Sequence, residues 1–185
     1  MERIEFHEGL VQVYTGAGKG KTSAALGLAL RATGYGLRVC VIQFLKGSPT
    51  GELKSAEKLA PFLQIEQWGR KSSDPDGRAW VRKGLVREED RSMAQKALKR
   101  AREIILNKEF DILILDEINV ALFFGLLELR QVLELIRAKP AEIELILTGQ
   151  KAPKEILAAA DLVTETVKIK HPFDRGMPAR KGIEY

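Results

Sequence analysis

An α/β fold, with a mostly parallel sheet covered by helices on both faces, is predicted by three features of the sequence. Short aliphatic runs alternate with longer helical stretches along the whole chain, and strands that alternate with helices pair in parallel through crossover connections. The runs at 37–45 and 111–116 are apolar almost throughout, as strands buried on both faces must be. A glycine-rich turn joins the first run to the first helical stretch, the way a nucleotide-binding βα unit begins.

Taken in order, residues 1–8 are charged and aperiodic and read as an arm before the first strand, 10–14. The turn at 15–22 leads into a helix at 23–32, where Leu26, Leu30 and several alanines form an apolar face that Gly34 and Gly36 close. Residues 37–45 form a buried strand between Gly36 and Gly47, and Cys40 within it reads as a small core side chain. A short helix at 51–60 ends at Pro61, and 62–68 alternates as a third strand. Residues 69–83 hold turn formers and basic side chains with no period, which predicts a mobile loop, either a solvated connection or a lid over substrate. From 86 to 107, Met93, Ala97, Leu98, Ala101, Ile104 and Ile105 share one helical face, and Arg91, Lys96, Lys99, Arg100 and Arg102 take the others. A strand at 111–117, a helix at 126–138 stopped near Pro140, and a strand at 143–149 follow. Pro153 opens a short helix to 160, and 162–169 alternates like an edge strand.

At 185 residues with 45% hydrophobic content the chain suits one domain, 1–185, and shows no internal repeat. A net charge of +5 favours anionic ligands without choosing among nucleotides, nucleic acids and membrane surfaces. No apolar run reaches the roughly 18 residues of a membrane span, and Glu2, Arg3 and Glu5 interrupt any signal-like core. A soluble, cytoplasmic protein is expected. One cysteine excludes an internal disulfide or a cysteine metal site.

The turn Thr15-Gly16-Ala17-Gly18-Lys19-Gly20-Lys21-Thr22 carries the chemistry. Its glycines let backbone N–H groups turn inward, and with the helix N-terminus they attract an anion. Lys21 adds a charge for the outer phosphates, and Thr22 a hydroxyl for Mg²⁺. The match to G-x-x-x-x-G-K-[ST] is imperfect, because Thr15 takes the place of the first glycine and Gly16 leaves only three residues before Gly20. A phosphate-loop, RecA-like nucleotide-binding fold follows. In a parallel sheet the strand carboxyl ends share one edge, which brings Asp116 and Glu117 toward Thr22 to hold Mg²⁺ directly or through water.

The segment 171–185, with 14–22, 41–47 and Leu115-Asp116-Glu117, resembles the ATP:corrinoid adenosyltransferases of the CobA/BtuR type from about residue 10 to the C-terminus. The resemblance implies transfer of the 5′-deoxyadenosyl group of ATP to cobalt(I) of a corrinoid, giving adenosylcobalamin and tripolyphosphate. It implies that Gly16, Ala17, Gly18, Lys19, Gly20, Lys21 and Thr22 bind the triphosphate. Thr22 and Glu117, with Asp116, would hold Mg²⁺ or Mn²⁺, and Arg31 would contact nucleotide or corrinoid. Lys21, Thr22 and Glu117 are the expected catalytic residues, and 171–185 the expected contribution to the corrinoid site. A reducing flavoprotein and a homodimer are implied in the same way, with neither nucleic acid nor membrane as partner. Family members carry a Phe-x-Trp pair after the third strand, held to exclude the corrinoid's lower ligand; residues 69–74 here lack aromatics, leaving Trp68 or Trp80 as substitutes. The residues alone leave two alternatives, a phosphate-loop ATPase or kinase and a nucleotide-responsive module that binds nucleic acid through its basic helix.

Overall fold

The computed structural model describes residues 8–71 and 86–185. In chain order the elements are β1 (Val11–Thr15), α1 (Lys21–Thr33), β2 (Val39–Phe44), α2 (Gly51–Leu59), β3 (Leu63–Trp68), α3 (Glu88–Asn107), β4 (Ile112–Asp116), α4 (Ile118–Phe123), α5 (Leu129–Arg137), β5 (Glu144–Thr148), α6 (Lys154–Ala158) and β6 (Leu162–Glu165). The six strands form one sheet in the order β3-β2-β4-β5-β1-β6. Every pairing is parallel.

The pleat divides the apolar strand residues between two cores, because successive side chains point to opposite faces. Ile112 and Ile114 of β4 join Val39, Val41 and Ile146 under Ala25 and Ala29 of α1. Leu113 and Leu115 join Cys40, Ile42 and Leu147 under α3 and α5, where Leu98, Ile104, Ile105 and Leu135 pack. Cys40 is fully buried, as expected of a core thiol, and burial raises its pKa far above the ordinary thiol range.

Three differences from the sequence reading have local causes. β6 stops at Glu165 rather than 169, because its partner β1 ends at Thr15, the residue paired with Glu165, where the chain turns into the glycine loop. Helix α4 follows directly on Glu117 and was not legible; it is one and a half turns long, too short for a periodic signal. Along α3 the buried stripe is Asp90, Ala94, Ala97, Leu98, Ala101, Ile104 and Ile105, so Ala94 takes the place expected of Met93. The expected loop at 69–83 falls mostly outside the described residues, as do Trp80 and most of the N-terminal arm. The basic side chains of α3 are partly consumed in local pairs: Arg100 binds Glu66 and Glu109, and Arg102 binds Glu134.

Asp90 is the buried polar member of the α3 stripe. Its carboxylate caps the helix by accepting the Arg87 N–H at 2.9 Å and takes the Arg70 guanidinium through two donors at 2.6 and 3.2 Å. That pair fastens the chain leaving β3 to the start of α3. Asp90→Ala leaves a largely buried guanidinium unpaired and removes the cap, so urea denaturation should show a loss of about 2–4 kcal/mol.

Candidate functional site

The carboxyl ends of β1, β2, β4 and β5 meet at one sheet edge, where the glycine loop, Lys21, Thr22, Asp116 and Glu117 gather and Arg31 does not. Thr15, which replaces the first motif glycine, is the last residue of β1. The turn therefore begins one residue late, at Gly16, whose φ of 97° suits glycine. The chain leaving β6 crowds the turn: a Cβ on Gly16 would lie 2.3 Å from the Thr166 carbonyl oxygen, and one on Gly18 would lie 2.8 Å from that of Val167. The Gly18 N–H donates to the Thr166 carbonyl at 2.8 Å, and the Thr166 hydroxyl donates to the carbonyls of Thr15 and Gly18 at 3.0 Å. The short loop is thus held from one side by 165–167. The amides of Lys19, Gly20, Lys21 and Thr22 donate to no acceptor among the described residues, so they are available to an anion at the α1 N-terminus.

Lys21 is buried and donates to the Gly16 and Gly18 carbonyls at 2.8 and 2.6 Å. Burial lowers its pKa, against the pull of Glu117 and Asp116. Thr22 donates its hydroxyl to Asp116 Oδ1 at 2.8 Å. Asp116 is fully buried. Its Oδ1 also accepts from the Thr148 hydroxyl at 2.7 Å, and its Oδ2 accepts from Lys46 Nζ at 2.8 Å and Gln43 Nε2 at 3.2 Å. Burial opposes the charge, yet Lys46 and the hydroxyl donors outweigh it and hold the carboxyl below its usual range. Burial opposes the charge of Lys46 in turn, but the attraction and hydrogen bond of Asp116, with Glu52 and Glu117, together outweigh it and raise its pKa.

Glu117 is the contrast. Its backbone is left-handed, φ 65° and ψ 19°, with the N–H donated to the Thr148 hydroxyl at 3.0 Å. Such strain in a residue other than glycine is characteristic of functional positions. Its carboxylate accepts no hydrogen bond among the described residues, and burial followed by the Asp116 charge pushes its pKa up to about 7. Glu117 and Thr22 supply hard oxygen donors of the kind Mg²⁺ takes beside substrate phosphates, whereas Asp116 has its acceptor positions filled by protein donors. Among the described residues no group of three or more His, Cys, Asp or Glu side chains forms a metal site on its own.

Gln43 and Lys46 were missed as site residues. The signal was a fully buried amide inside an apolar strand, followed by a lysine just past its end. Arg31 lies ten residues along α1 from Lys21, about 15 Å at 1.5 Å per residue, so it stands apart from the phosphate loop. Trp68 is partly buried against the core. The C-terminal segment does return to the edge: Lys19 Nζ and Glu184 Oε1 are 2.8 Å apart, and the Tyr185 carbonyl lies near Gly51 at the start of α2. The Arg180 guanidinium, then Lys19, hold the Glu184 carboxyl down at about 2. Beside this edge an open recess of about 280 Å³ is lined by Gly47, Ser48, Pro49, Leu53, Gln67 and Lys71.

Residues 7–185 match the family described as ATP:corrinoid adenosyltransferase BtuR/CobO/CobP. The corrinoid adenosyltransferase of Pseudomonas aeruginosa is 36% identical over 178 residues, covering 96% of this chain and 84% of its own. Those of Escherichia coli K12 and Salmonella typhimurium are each 34% identical, covering 96% of this chain and 86% of theirs. In architecture the flagellar accessory protein FlaH of Methanocaldococcus jannaschii is similar, with a TM-score of 0.55 at 15% identity over 86% of this chain and 72% of that one. That likeness bears on the fold alone.

The raised pKa of Glu117 has a thermodynamic consequence. A carboxyl that binds its proton more tightly folded than unfolded stabilises the fold at low pH, and this contribution is lost as pH rises from about 4.5 through about 7. Without metal or nucleotide, Glu117→Gln should therefore be more stable than the parent at pH 8, by on the order of 2 kcal/mol, and little different at pH 4.5. Thermal melts in chelator at both pH values check this.

Proposed function

Because the chain belongs to the ATP:corrinoid adenosyltransferase family BtuR/CobO/CobP, we propose that it transfers the 5′-deoxyadenosyl group of ATP to cobalt(I) of a corrinoid and releases tripolyphosphate. The compressed phosphate loop, closed from one side by 165–167 and open at its amides, is the observation that carries this reading at the level of residues. The electron pair of cobalt(I) forms the cobalt–carbon bond at C5′. The C5′–oxygen bond breaks, and its electrons stay on the α-phosphate oxygen of the leaving triphosphate. Reduced cobalt is itself a strong nucleophile, so no side chain has to take a proton or form a covalent intermediate.

The protein's tasks are then to hold the phosphates, place C5′ against the metal and neutralise the leaving group. The amides of 19–22 and the Lys21 ammonium meet the triphosphate; in this step Lys21 exchanges carbonyl partners in its own loop for phosphate oxygens. Thr22 and Glu117 would hold a Mg²⁺, which supplies further positive charge at the departing oxygen. Asp116 acts behind them, orienting the Thr22 hydroxyl and Lys46. The family resemblance supports a reversed seating of ATP, with the phosphates in the loop and the ribose carbon outward. It also supports a flavoprotein reductant, a homodimer and a cytoplasmic location. Among the described residues no helix is long and apolar enough to cross a membrane. Arg31, remote from the loop, suits only a part of the substrate remote from the phosphates. The recess beside Gly47 and Lys71 and the C-terminal segment at Lys19 flank the place where the corrinoid would approach.

With Mg²⁺-ATP and chemically reduced cobalamin, the cobalt(I) absorbance should disappear as tripolyphosphate accumulates. Persistence of that absorbance, with ADP and phosphate as products, would identify a hydrolase instead. Lys21→Ala should lower kcat/KM for ATP by about 100-fold or more, the scale of losing a main charge on the leaving group. Deleting 171–185 is expected to raise the corrinoid KM by about ten-fold or more and to change ATP affinity much less, because the exposed Lys19–Glu184 pair is worth little. Equal losses for both substrates would remove the segment from the corrinoid site.

A further inference from the structure

Asn119, the second residue of α4, is wholly buried, and among the described residues neither its carboxamide nitrogen nor its carboxamide oxygen has a hydrogen-bond partner. Leaving such a group unpaired in a dry interior costs free energy that side chains rarely bear without a function. Its surroundings point to the function. Gly149, just past β5, has φ 126°, and a Cβ built there would lie 3.1 Å from Asn119 Cβ and 3.2 Å from Glu117 Oε2. The Glu117 carboxylate and the root of the Asn119 side chain therefore share one wall, kept clear by the absence of a side chain at 149. Among the described residues that carboxylate has no donor, and the buried Asn119 carboxamide has no partner. Asp116, one residue away, is by contrast fully supplied.

We propose that Asn119 is a positioning residue for Glu117: its carboxamide donates to the Glu117 oxygen turned away from the metal once that carboxylate is committed to a metal–triphosphate complex. The inference rests on the assignment of Glu117 as a metal ligand made above. Carboxylate ligands are ordinarily fixed by a hydrogen bond from behind, and loss of that donor weakens metal binding. Among the described residues the Asn119 carboxamide is unpaired, and Gly149 keeps a side chain out of the space between the Asn119 Cβ and the Glu117 carboxylate.

The test measures Mn²⁺ affinity directly, by electron paramagnetic resonance of the full chain with tripolyphosphate, together with melting temperature in chelator. Asn119→Leu keeps the volume and removes the polar atoms; Asn119→Ala is the second variant, so that a folding failure of either leaves the other. Both Mn²⁺ affinities should fall about ten-fold, while the chelated melting temperature of Asn119→Leu stays level or rises, because an unpaired amide has gone. Glu117→Gln should show the same weakening, and combining it with Asn119→Leu should add little, since both act through one contact. If Glu117→Gln weakens Mn²⁺ binding and the Asn119 variants do not, or if the two losses add in full, the positioning role is overturned and the Glu117 assignment stands. If Glu117→Gln itself leaves Mn²⁺ binding unchanged, the metal assignment falls and this role with it.

Discussion

The Asp116 carboxylate organises the site. A charge with no exposure to solvent is tolerable only if hydrogen bonds and an opposite charge replace its hydration, and each group that does so comes from a different part of the fold. Thr22 reaches it from α1, Thr148 from β5, Gln43 from β2 and Lys46 from the turn after β2. Moving any of these would leave a buried charge or a buried donor unmatched. One carboxylate therefore ties the glycine loop and α1 to the acid pair and fixes the orientation of the Thr22 hydroxyl. The neighbouring Glu117 carboxylate accepts no hydrogen bond among the described residues, so the two adjacent acids differ in pairing because the nearby donors go to Asp116.

The phosphate loop is held by a second constraint, the close approach of the chain leaving β6. In a parallel sheet an edge strand can end where its partner turns, and here β1 turns at Thr15. The residues just past β6 then fall onto Gly16 and Gly18, where only hydrogen atoms leave room. The end of β6 and the crowding of the glycine loop thus share one origin, the turn of β1 at Thr15. The amides of residues 19–22 in this confined loop donate to no acceptor among the described residues.

Lys46 and Lys21 show how the site stores positive charge before substrate arrives. Lys21 rests on carbonyls of its own loop and Lys46 on Asp116. The first is bound to neutral acceptors that a phosphate can outcompete. The second is bound to a full charge and keeps Asp116 ionised.

Much of this was legible in the residues alone. Uninterrupted aliphatic runs announced buried parallel strands, because a strand covered on both faces has no polar side to show, and glycines followed by lysine and threonine announced the glycine turn between β1 and α1, because that backbone geometry is local. Asp116 and Glu117 could be assigned to the same edge from the parallel order. What only the tertiary structure decided was how the two acids divide their work, and which silent residues serve them. The burial of Gln43, the reach of Lys46, the unpaired amide of Asn119 and the crowding at Gly16 all arise between segments far apart in the chain. A residue's own neighbours in sequence carry no record of which distant group will take its hydrogen bond, or of how much water the packing will exclude from it.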